Sequence, residues 1–310
     1  MKLVVLIPAY NEAETIAEVI GKIPGVEQAA STEIVVLDDA SDDGTPDIAR
    51  AEGARVLRAK QRVGLASQFR KGLDEALRLG ADLVVSLDAD MEHDPRELPG
   101  IVEPIIQGEA DIVLGSRFSQ GRSNNRSTRK LVNLALTSLV NFMSGTKLTD
   151  TQTGFRAYSR EAAAKLDILS SYTYTQEVII QASHKGLKIV EVPISFKKRR
   201  GHSRLFKSRV EYAFKTLPSL FLTCASYRPF RMFLPISLTL SLLSLALASI
   251  VFVQWPASQF FSCASFLTLS AILFTFAFII IVLAILTEMN RVNRELIEDL
   301  LFRQKYRLNR

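Results

Sequence analysis

A chain of 310 residues makes one large domain or two modest ones, and a chain of this size hides roughly 75% of its unfolded surface on folding. At 48% hydrophobic and 23% charged residues it excludes both a disordered tail and a fibrous repeat. The formal net charge of +6 is local rather than global, and 56 consecutive residues between Arg231 and Glu288 carry no Asp, Glu, Lys, Arg or His, which excludes a purely cytosolic enzyme.

The amino-terminus does not read as a signal peptide, because the apolar residues 3–7 stop at Pro8 and acidic residues follow. Compact apolar runs rich in Val, Leu and Ile at 3–7, 33–37, 55–57, 83–87 and 112–114 predict strands. Helical patterns lie between them at 13–23, 46–52 and 64–79, the last with Leu65, Phe69, Leu73 and Leu77 on one face. Bare apolar strands alternating with helices predict an α/β domain whose mostly parallel sheet is covered on both faces. Ligands on such sheets bind beyond the carboxyl ends of the strands.

Those strand ends are polar. The first is followed by Pro8-Ala9-Tyr10-Asn11-Glu12 and the second by Asp38-Asp39-Ala40-Ser41-Asp42-Asp43-Gly44-Thr45. The fourth is followed by Asp88-Ala89-Asp90-Met91-Glu92-His93-Asp94 and the fifth by Gly115-Ser116-Arg117. Asp38, Asp39, Asp88, Asp90 and Glu92 would converge on one edge, at a repulsive cost unless a cation or hydrogen-bond donors fill the space. A hard divalent ion with a diphosphate suits such oxygen ligands. Asp42 and Asp43 equally suit capping of the helix that starts at Pro46, and His93, a lone histidine, reads as structural. Between Asp111 and Asp150 there is no acid but six basic residues, Arg117, Arg122, Arg126, Arg129, Lys130 and Lys147. Arginine suits bidentate phosphate contacts.

Seven Lys or Arg occur from Lys197 to Arg209 without an acid, a cluster that attracts anionic head groups. No recognition motif accompanies the charge, so nucleic acid is not an expected partner. Val210, Ala213, Phe214, Leu217, Leu220, Phe221 and Cys224 form an apolar stripe at helical spacing, fit for the membrane surface or for the soluble domain. The uncharged run splits into 232–253 and 264–287 around a break containing Trp255 and Pro256; each part exceeds the about 20 residues that cross a bilayer. Arg228 and Arg231 precede this hairpin, and Arg291, Arg294, Arg303, Lys305, Arg307 and Arg310 follow it, which predicts both ends in the cytoplasm. Cys224 and Cys263 support neither a disulfide framework nor a zinc site. The expected organisation is a catalytic domain at 1–206, an interfacial helix at 207–230, the two spans at 231–288 and a charged helical tail at 289–310. That tail suits pairing with a neighbouring subunit, so a homo-oligomer stays open.

The order Pro-Ala-Tyr-Asn-Glu, Asp-Asp-x-Ser-x-Asp-Gly-Thr, Asp-Ala-Asp and Gly-Ser-Arg resembles inverting family 2 glycosyltransferases of the GT-A fold. Asp150-Thr151-Gln152-Thr153-Gly154-Phe155-Arg156 and Gly201-His202-Ser203-Arg204 are similar to motifs of the polyprenol-phosphate sugar synthases, the group of dolichol-phosphate mannose synthase. The resemblance covers about residues 1–230. It implies that Pro8, Tyr10, Glu12, Leu37 and Asp39 hold the nucleotide, with the Ala89 backbone near the sugar nucleotide. It further implies that Asp88 and Asp90 bind Mg²⁺ or Mn²⁺, with Glu92, where relatives commonly carry Gln, completing the coordination. Lys198 and Arg204 match positions at the donor diphosphate. Arg117, Arg126 and Arg129 are then assigned to the acceptor lipid phosphate. Asp90, Asp150 and Arg117 form the reacting centre, Asp150 orienting sugar or metal. The implied activity is transfer of mannose or glucose from a GDP- or UDP-sugar to polyprenyl or dolichyl phosphate by an integral protein of the cell membrane. A processive polysaccharide synthase would add a Gln-x-x-Arg-Trp motif, and the single Trp255 lies in the hairpin. Transfer to a lipid or protein hydroxyl stays open, and a non-catalytic membrane scaffold is opposed by the intact Asp88, Asp90 and Arg117.

Overall fold

A computed structural model describes residues 1–118, 128–168, 170, 174–197, 218, 220–254 and 260–308. Seven strands form one sheet: β1 (Lys2–Ala9), β2 (Ser31–Asp38), β3 (Arg55–Arg58), β4 (Leu83–Ser86), β5 (Ile112–Ser116), β6 (Arg156–Ser159) and β7 (Ile189–Pro193), in the order β3-β2-β1-β4-β6-β5-β7. Every neighbouring pair is parallel except those of β6, which runs antiparallel to both β4 and β5. All five expected strands are present. Leu3, Val4, Val5, Leu6 and Ile7 are each fully buried, as a strand covered on both faces requires.

The covering helices are α1 (Ile16–Gly21), α2 (Thr45–Ala51), α3 (Leu65–Arg78), α4 (Leu98–Ile106), α5 (Thr128–Ser144), α6 (Arg160–Lys165) and α7 (Thr175–His184). Helix α3 buries Phe69, Leu73, Ala76 and Leu77. It approaches the sheet through Gly72, where an added Cβ would meet Leu37 Cδ1 at 2.6 Å. Leu37 is fully buried with its side chain under α3, so only its backbone is left to meet a ligand.

The chain divides into two compact units, Met1–Phe221 with Glu298–Arg310, and Leu222–Ile297. Residues 220–227 are helical and the remainder of the expected interfacial helix, 207–217 and 219, lies outside the described residues. Two long helices follow, α8 (Pro229–Gln254) and α9 (Phe260–Leu308). Each contains a stretch long and apolar enough to cross a membrane, Pro229–Val251 with mean hydropathy 2.1 and Ala264–Leu300 with 3.0. Their outward side chains are bare: Leu238, Leu245 and Phe274 are 58%, 66% and 61% exposed. Within the second unit the helices meet through small residues. Ser237 Oγ donates to the Ala277 carbonyl at 2.9 Å, and Ser244 and Ser270 donate to each other's carbonyls at 2.9 Å. The charged helical tail expected from residue 289 onwards continues α9 as one helix to Leu308. In the first unit its Glu298 pairs with Lys185 at 2.8 Å, so part of the tail packs against its own chain.

Candidate active site

The loop after β1 is stitched to the loop after β2. Asn11 N–H donates to Ser41 Oγ at 2.9 Å, Glu12 N–H to Thr45 Oγ1 at 2.9 Å and Ala13 N–H to Asp43 Oδ2 at 3.1 Å. Asp42 N–H donates back to Asn11 Oδ1 at 3.0 Å. Asp43 also accepts from Thr45 N–H at 3.1 Å, although the N-cap of α2 is Gly44 and no side chain caps that helix. Among the described residues the non-glycine positions with positive φ are Asn11 (56°), Ala40 (64°) and Met91 (59°). They sit in the loops leaving β1, β2 and β4, and such a backbone costs roughly 1–2 kcal/mol at an ordinary residue. Strain of this kind persists where the surroundings over-determine it and clusters at functional sites.

Asp38 and Asp39 are satisfied from within the chain. Buried Asp38 accepts from Ser41 N–H at 3.3 Å and lies 3.3 Å from Arg58 Nε. Asp39 accepts from Val63 N–H at 2.8 Å, Gly64 N–H at 3.0 Å and Gln68 Nε2 at 3.4 Å. A carboxylate offers about four lone-pair sites, so Asp39 is largely committed to holding the loop before α3. Backbone and amide donors, with the Arg58 guanidinium at Asp38 and Arg62 Nε 3.9 Å from Asp39, therefore relieve the expected repulsion at these two acids. The guanidinium carbon of Arg62 lies 4.0 Å from the ring centroid of Tyr10, joining the loop after β3 to the loop after β1. Half-buried Pro8 is held in the β1–β2 ladder opposite Leu37, and Glu12 accepts from the Thr15 hydroxyl at 3.4 Å.

At the end of β4, Asp88 is set against Gly154. An added Cβ there would lie 2.3 Å from Asp88 Oδ2 and 2.7 Å from its Cγ. Glycine is demanded here by the close approach of a carboxylate. Asp90 Oδ1 accepts from Glu92 N–H at 3.0 Å, and Ala89 is buried in the apolar core, so only its backbone can face a ligand. Among the described residues no three His, Cys, Asp or Glu side chains gather into a metal cage. The expected trio of Asp88, Asp90 and Glu92 is therefore not a preformed ligand set. The residues fit a different mode, in which Mg²⁺-type ions take one or two carboxylates and complete their shell with substrate phosphates and water. The loop is fastened to the segment after β7: Lys197 N–H donates to the Glu92 carbonyl at 2.9 Å and Ser195 N–H to Glu97 Oε1 at 3.0 Å.

Arg117 and Asp150 form a buried bidentate pair. Arg117 Nε meets Asp150 Oδ2 at 2.5 Å and its Nη2 meets Oδ1 at 2.8 Å, with side chains 13% and 0% exposed. Burial alone would push the Asp150 carboxyl up, but the Arg117 hydrogen bonds and charge hold it below the usual carboxylate range. Burial likewise opposes the Arg117 charge, and Asp150, then Glu92 and Asp88, outweigh it. Glu191 Oε1 accepts from the Thr149 and Asp150 amides at 2.8 Å each. Buried His93, with Nδ1 lacking a partner, lies 5.9 Å from the Phe155 ring and 6.1 Å from Phe196. Burial and then the Arg117 charge push its pKa down to about 4, so it is neutral at pH 7.

Reasoning from strand ends passed over the end of β3 and the loop after it, which carry Arg58 and Arg62. Arg156 was read only as part of a motif. It is fully buried and donates to the carbonyls of Thr153 (2.8 Å), Thr175 (2.7 Å) and Thr151 (2.9 Å), fixing the loop that presents both Asp150 and Gly154. Arg126, Lys198 and Arg204 lie outside the described residues; Arg129 falls on α5, but its side chain is likewise outside them.

Residues 4–167 match glycosyl transferase family 2. The chain is 33% identical over 217 residues to an undecaprenyl-phosphate mannosyltransferase of Micrococcus luteus, covering 66% of this chain and 88% of that protein. It is 32% identical over 225 residues to a polyprenol monophosphomannose synthase of Mycolicibacterium smegmatis, covering 68% and 84%. Among solved structures, glucosyl-3-phosphoglycerate synthase of Mycobacterium tuberculosis with Mn²⁺, UDP-glucose and phosphoglyceric acid aligns with TM-score 0.54 and 26% identity, over 72% of this chain and 79% of that one. With its mostly parallel sheet, its polar carboxyl edge and these matches, the chain belongs to glycosyl transferase family 2 and is a glycosyltransferase.

Proposed function

We propose that the protein is a membrane-anchored, inverting transferase that moves a hexose, mannose or glucose, from a GDP- or UDP-linked donor to a polyprenyl or dolichyl phosphate. The observation that carries this reading is Asp88, held against Gly154 on the same sheet edge as the buried Arg117–Asp150 pair. Its likeness to proteins named for mannosyl transfer to polyprenol phosphates supports the acceptor class. Mg²⁺ or Mn²⁺ bound by Asp88 and Asp90 with the donor phosphates would supply neutralisation of the leaving nucleoside diphosphate.

The acceptor explains why no strong general base is needed. A phosphate monoester with a second pKa near about 6 is already largely ionised at neutral pH, so its oxygen attacks the anomeric carbon directly. Asp150 suits a different task. A carboxylate held low by a bidentate arginine is a poor base, and its bonds instead fix the Arg117 guanidinium. Arg117 is then a fixed cation for the acceptor phosphate, with Arg126 and Arg129 as further basic groups. The two apolar helices would hold the catalytic unit at the bilayer, with their arginine-flanked ends in the cytoplasm.

The test is a transfer assay on the purified protein, offering labelled GDP-mannose, UDP-glucose and UDP-hexosamines with a polyprenyl phosphate. The expected result is label in the organic phase with one donor and loss of that signal with a chelator. Metal-dependent donor binding without label in the lipid phosphate would overturn the acceptor assignment and direct the search to hydroxyl acceptors.

A further inference from the structure

Beyond Thr287 the apolar residues of α9 stand on its outer side. Met289, Leu296 and Leu300 are 62%, 64% and 67% exposed, and Val292 and Ile297 among them are exposed as well. The charged residues take the protected side: Glu298 is buried, and Arg291, Arg294 and Glu295 are half-buried. A lone helix in water carries the opposite arrangement. Hydrocarbon does not cover this stripe on the reading of α8 and α9 as membrane-spanning, on which the inference rests. A span of about 20 residues that starts at Ala264 is complete before Glu288. The helix from Glu288 to Leu300 then reaches roughly 20 Å further, past a headgroup layer of about 6 Å.

The spacing of the stripe is that of a helix pair. Written as a heptad with Leu286 at a, the seam runs through Met289 at d, Asn293 at a, Leu296 at d and Leu300 at a. Asn290, Val292 and Ile297 fill the flanking e and g positions. Every charge from Glu288 to Glu298 falls elsewhere: Arg294 at b, Glu288 and Glu295 at c, Arg291 and Glu298 at f. The f positions are met by their own chain, since Ser270 and Ala277 bond to α8 and Glu298 to Lys185. The a and d positions lie on the opposite face, and their line extends back into the span through the exposed Ile279 and Val282.

This pattern selects the partner. A second copy in the same bilayer has the same orientation, so its α9 runs parallel and a two-fold pair sets each seam residue against itself. Such self-pairing needs facing residues that do not repel, and no a, d, e or g position from Leu286 to Ile297 carries charge. An Asn at a single a position fixes the register of a parallel two-stranded pair. The seam also ends itself, because Asp299 takes the next g and Arg303 the next d. A helix lying on a bilayer surface would instead flank its apolar face with basic residues.

We propose that residues 286–300 of α9 pair in parallel with the same residues of a second copy of this chain, Asn293 of one copy facing Asn293 of the other.

Full-length protein is placed in liposomes at falling protein-to-lipid ratios, and association is read by energy transfer between two labelled populations. Leu296→Glu is expected to raise the dissociation constant at least about tenfold, because two carboxylates would face each other in the seam. Single cysteines in a Cys224→Ser, Cys263→Ser background are then oxidised in the membrane. Met289→Cys and Leu296→Cys are expected to cross-link as dimers, and Thr287→Cys, at a b position, is not. If Leu296→Glu does not fold, the cysteine series decides, since it changes no charge. Equal association of Leu296→Glu and wild type overturns the seam, as does equal cross-linking at Thr287→Cys and Leu296→Cys. Absence of energy transfer in the wild type overturns it too, in favour of the bilayer surface if a headgroup-borne quencher reaches a probe on Leu296→Cys. Release of the protein from membranes by alkaline carbonate overturns the spanning reading itself, a failure distinct from a chain that stays inserted and monomeric.

Discussion

At Gly154 one methyl group separates two outcomes. An added Cβ would overlap the Asp88 carboxylate at 2.3 Å, and that carboxylate is the end of a side chain that can swing away. Gly154→Ala is therefore expected to leave the melting temperature within a few degrees of wild type while metal-dependent donor binding weakens at least about tenfold and transfer is lost. Calorimetric titration with Mn²⁺ and donor checks this; wild-type affinity in the variant would show that Asp88 is not held by that contact. Asp150 behaves differently, because its removal strands a buried cation. Asp150→Asn is expected to cost about 3–5 kcal/mol of stability, and the Asp150→Asn, Arg117→Gln double variant less than the sum of its parts. The folded pKa of Asp150 lies below its unfolded value, so the pair's contribution is full above about pH 4 and fades as pH falls through the lowered value. Acid unfolding should lose that limb in Asp150→Asn. Asp88, Asp90 and Arg117 were legible in the sequence because strand ends in a parallel sheet expose their residues. At Leu37 the motif says nothing of the face its side chain takes, and only the approach of Gly72 reveals that it points under α3.

At the scale of elements, bare apolar runs marked five strands, while β6 and β7 (Ile189–Pro193) escaped. Arg156–Ser159 has no apolar run, and its strand character comes from partners on both sides, β4 and β5, which pair with it antiparallel. The hairpin seam was equally hidden under uniform hydrophobicity. Ser237, Ser244 and Val251 on α8, and Ser270, Ala277 and Ala284 on α9, are buried at intervals of seven residues. That spacing is the mark of two helices in left-handed contact, and small residues let their backbones approach. Each serine bond in such a seam is worth about 0.6 kcal/mol on average, so Ser244→Ala should be nearly silent. Ser244→Leu must push the helices apart and should lower the hairpin's stability several times more, measured by thermal unfolding in nanodiscs. Equal effects of the two substitutions would mean that hydrogen bonds rather than close approach hold the seam. The charged tail was expected to be helical, and it continues α9 without a break: the charges after Thr287 mark the limit of the apolar stretch, while a helix continues wherever its backbone bonds can.

For the whole molecule the consequence is that the chain leaves the catalytic unit after Phe221 and returns to it at Glu298 on an unbroken helix. The return is fastened by charge: Lys185 Nζ meets Glu298 at 2.8 Å with both side chains mostly buried, and the Lys185 ammonium also donates to the Lys165 carbonyl. The ring of Phe302 lies 5.7 Å from Lys165 Nζ, so two lysines at the ends of α6 and α7 receive the helix. A partly buried pair is costly to half-remove, because Lys185 would keep its desolvation with only Asp167, 3.9 Å away, as counter-charge. Glu298→Ala is expected to cost about 2–3 kcal/mol, lowering the melting temperature by about 5–10 °C, and to open the end of α9 to limited proteolysis. The Lys185→Met, Glu298→Leu double variant removes both charges and should recover most of that loss, since apolar side chains of similar size can replace a buried pair. Recovery would assign the contact to packing with a charge pair built into it. A double variant as labile as Glu298→Ala, with α9 cleaved at the same rate, would assign the fastening to the ion pair itself.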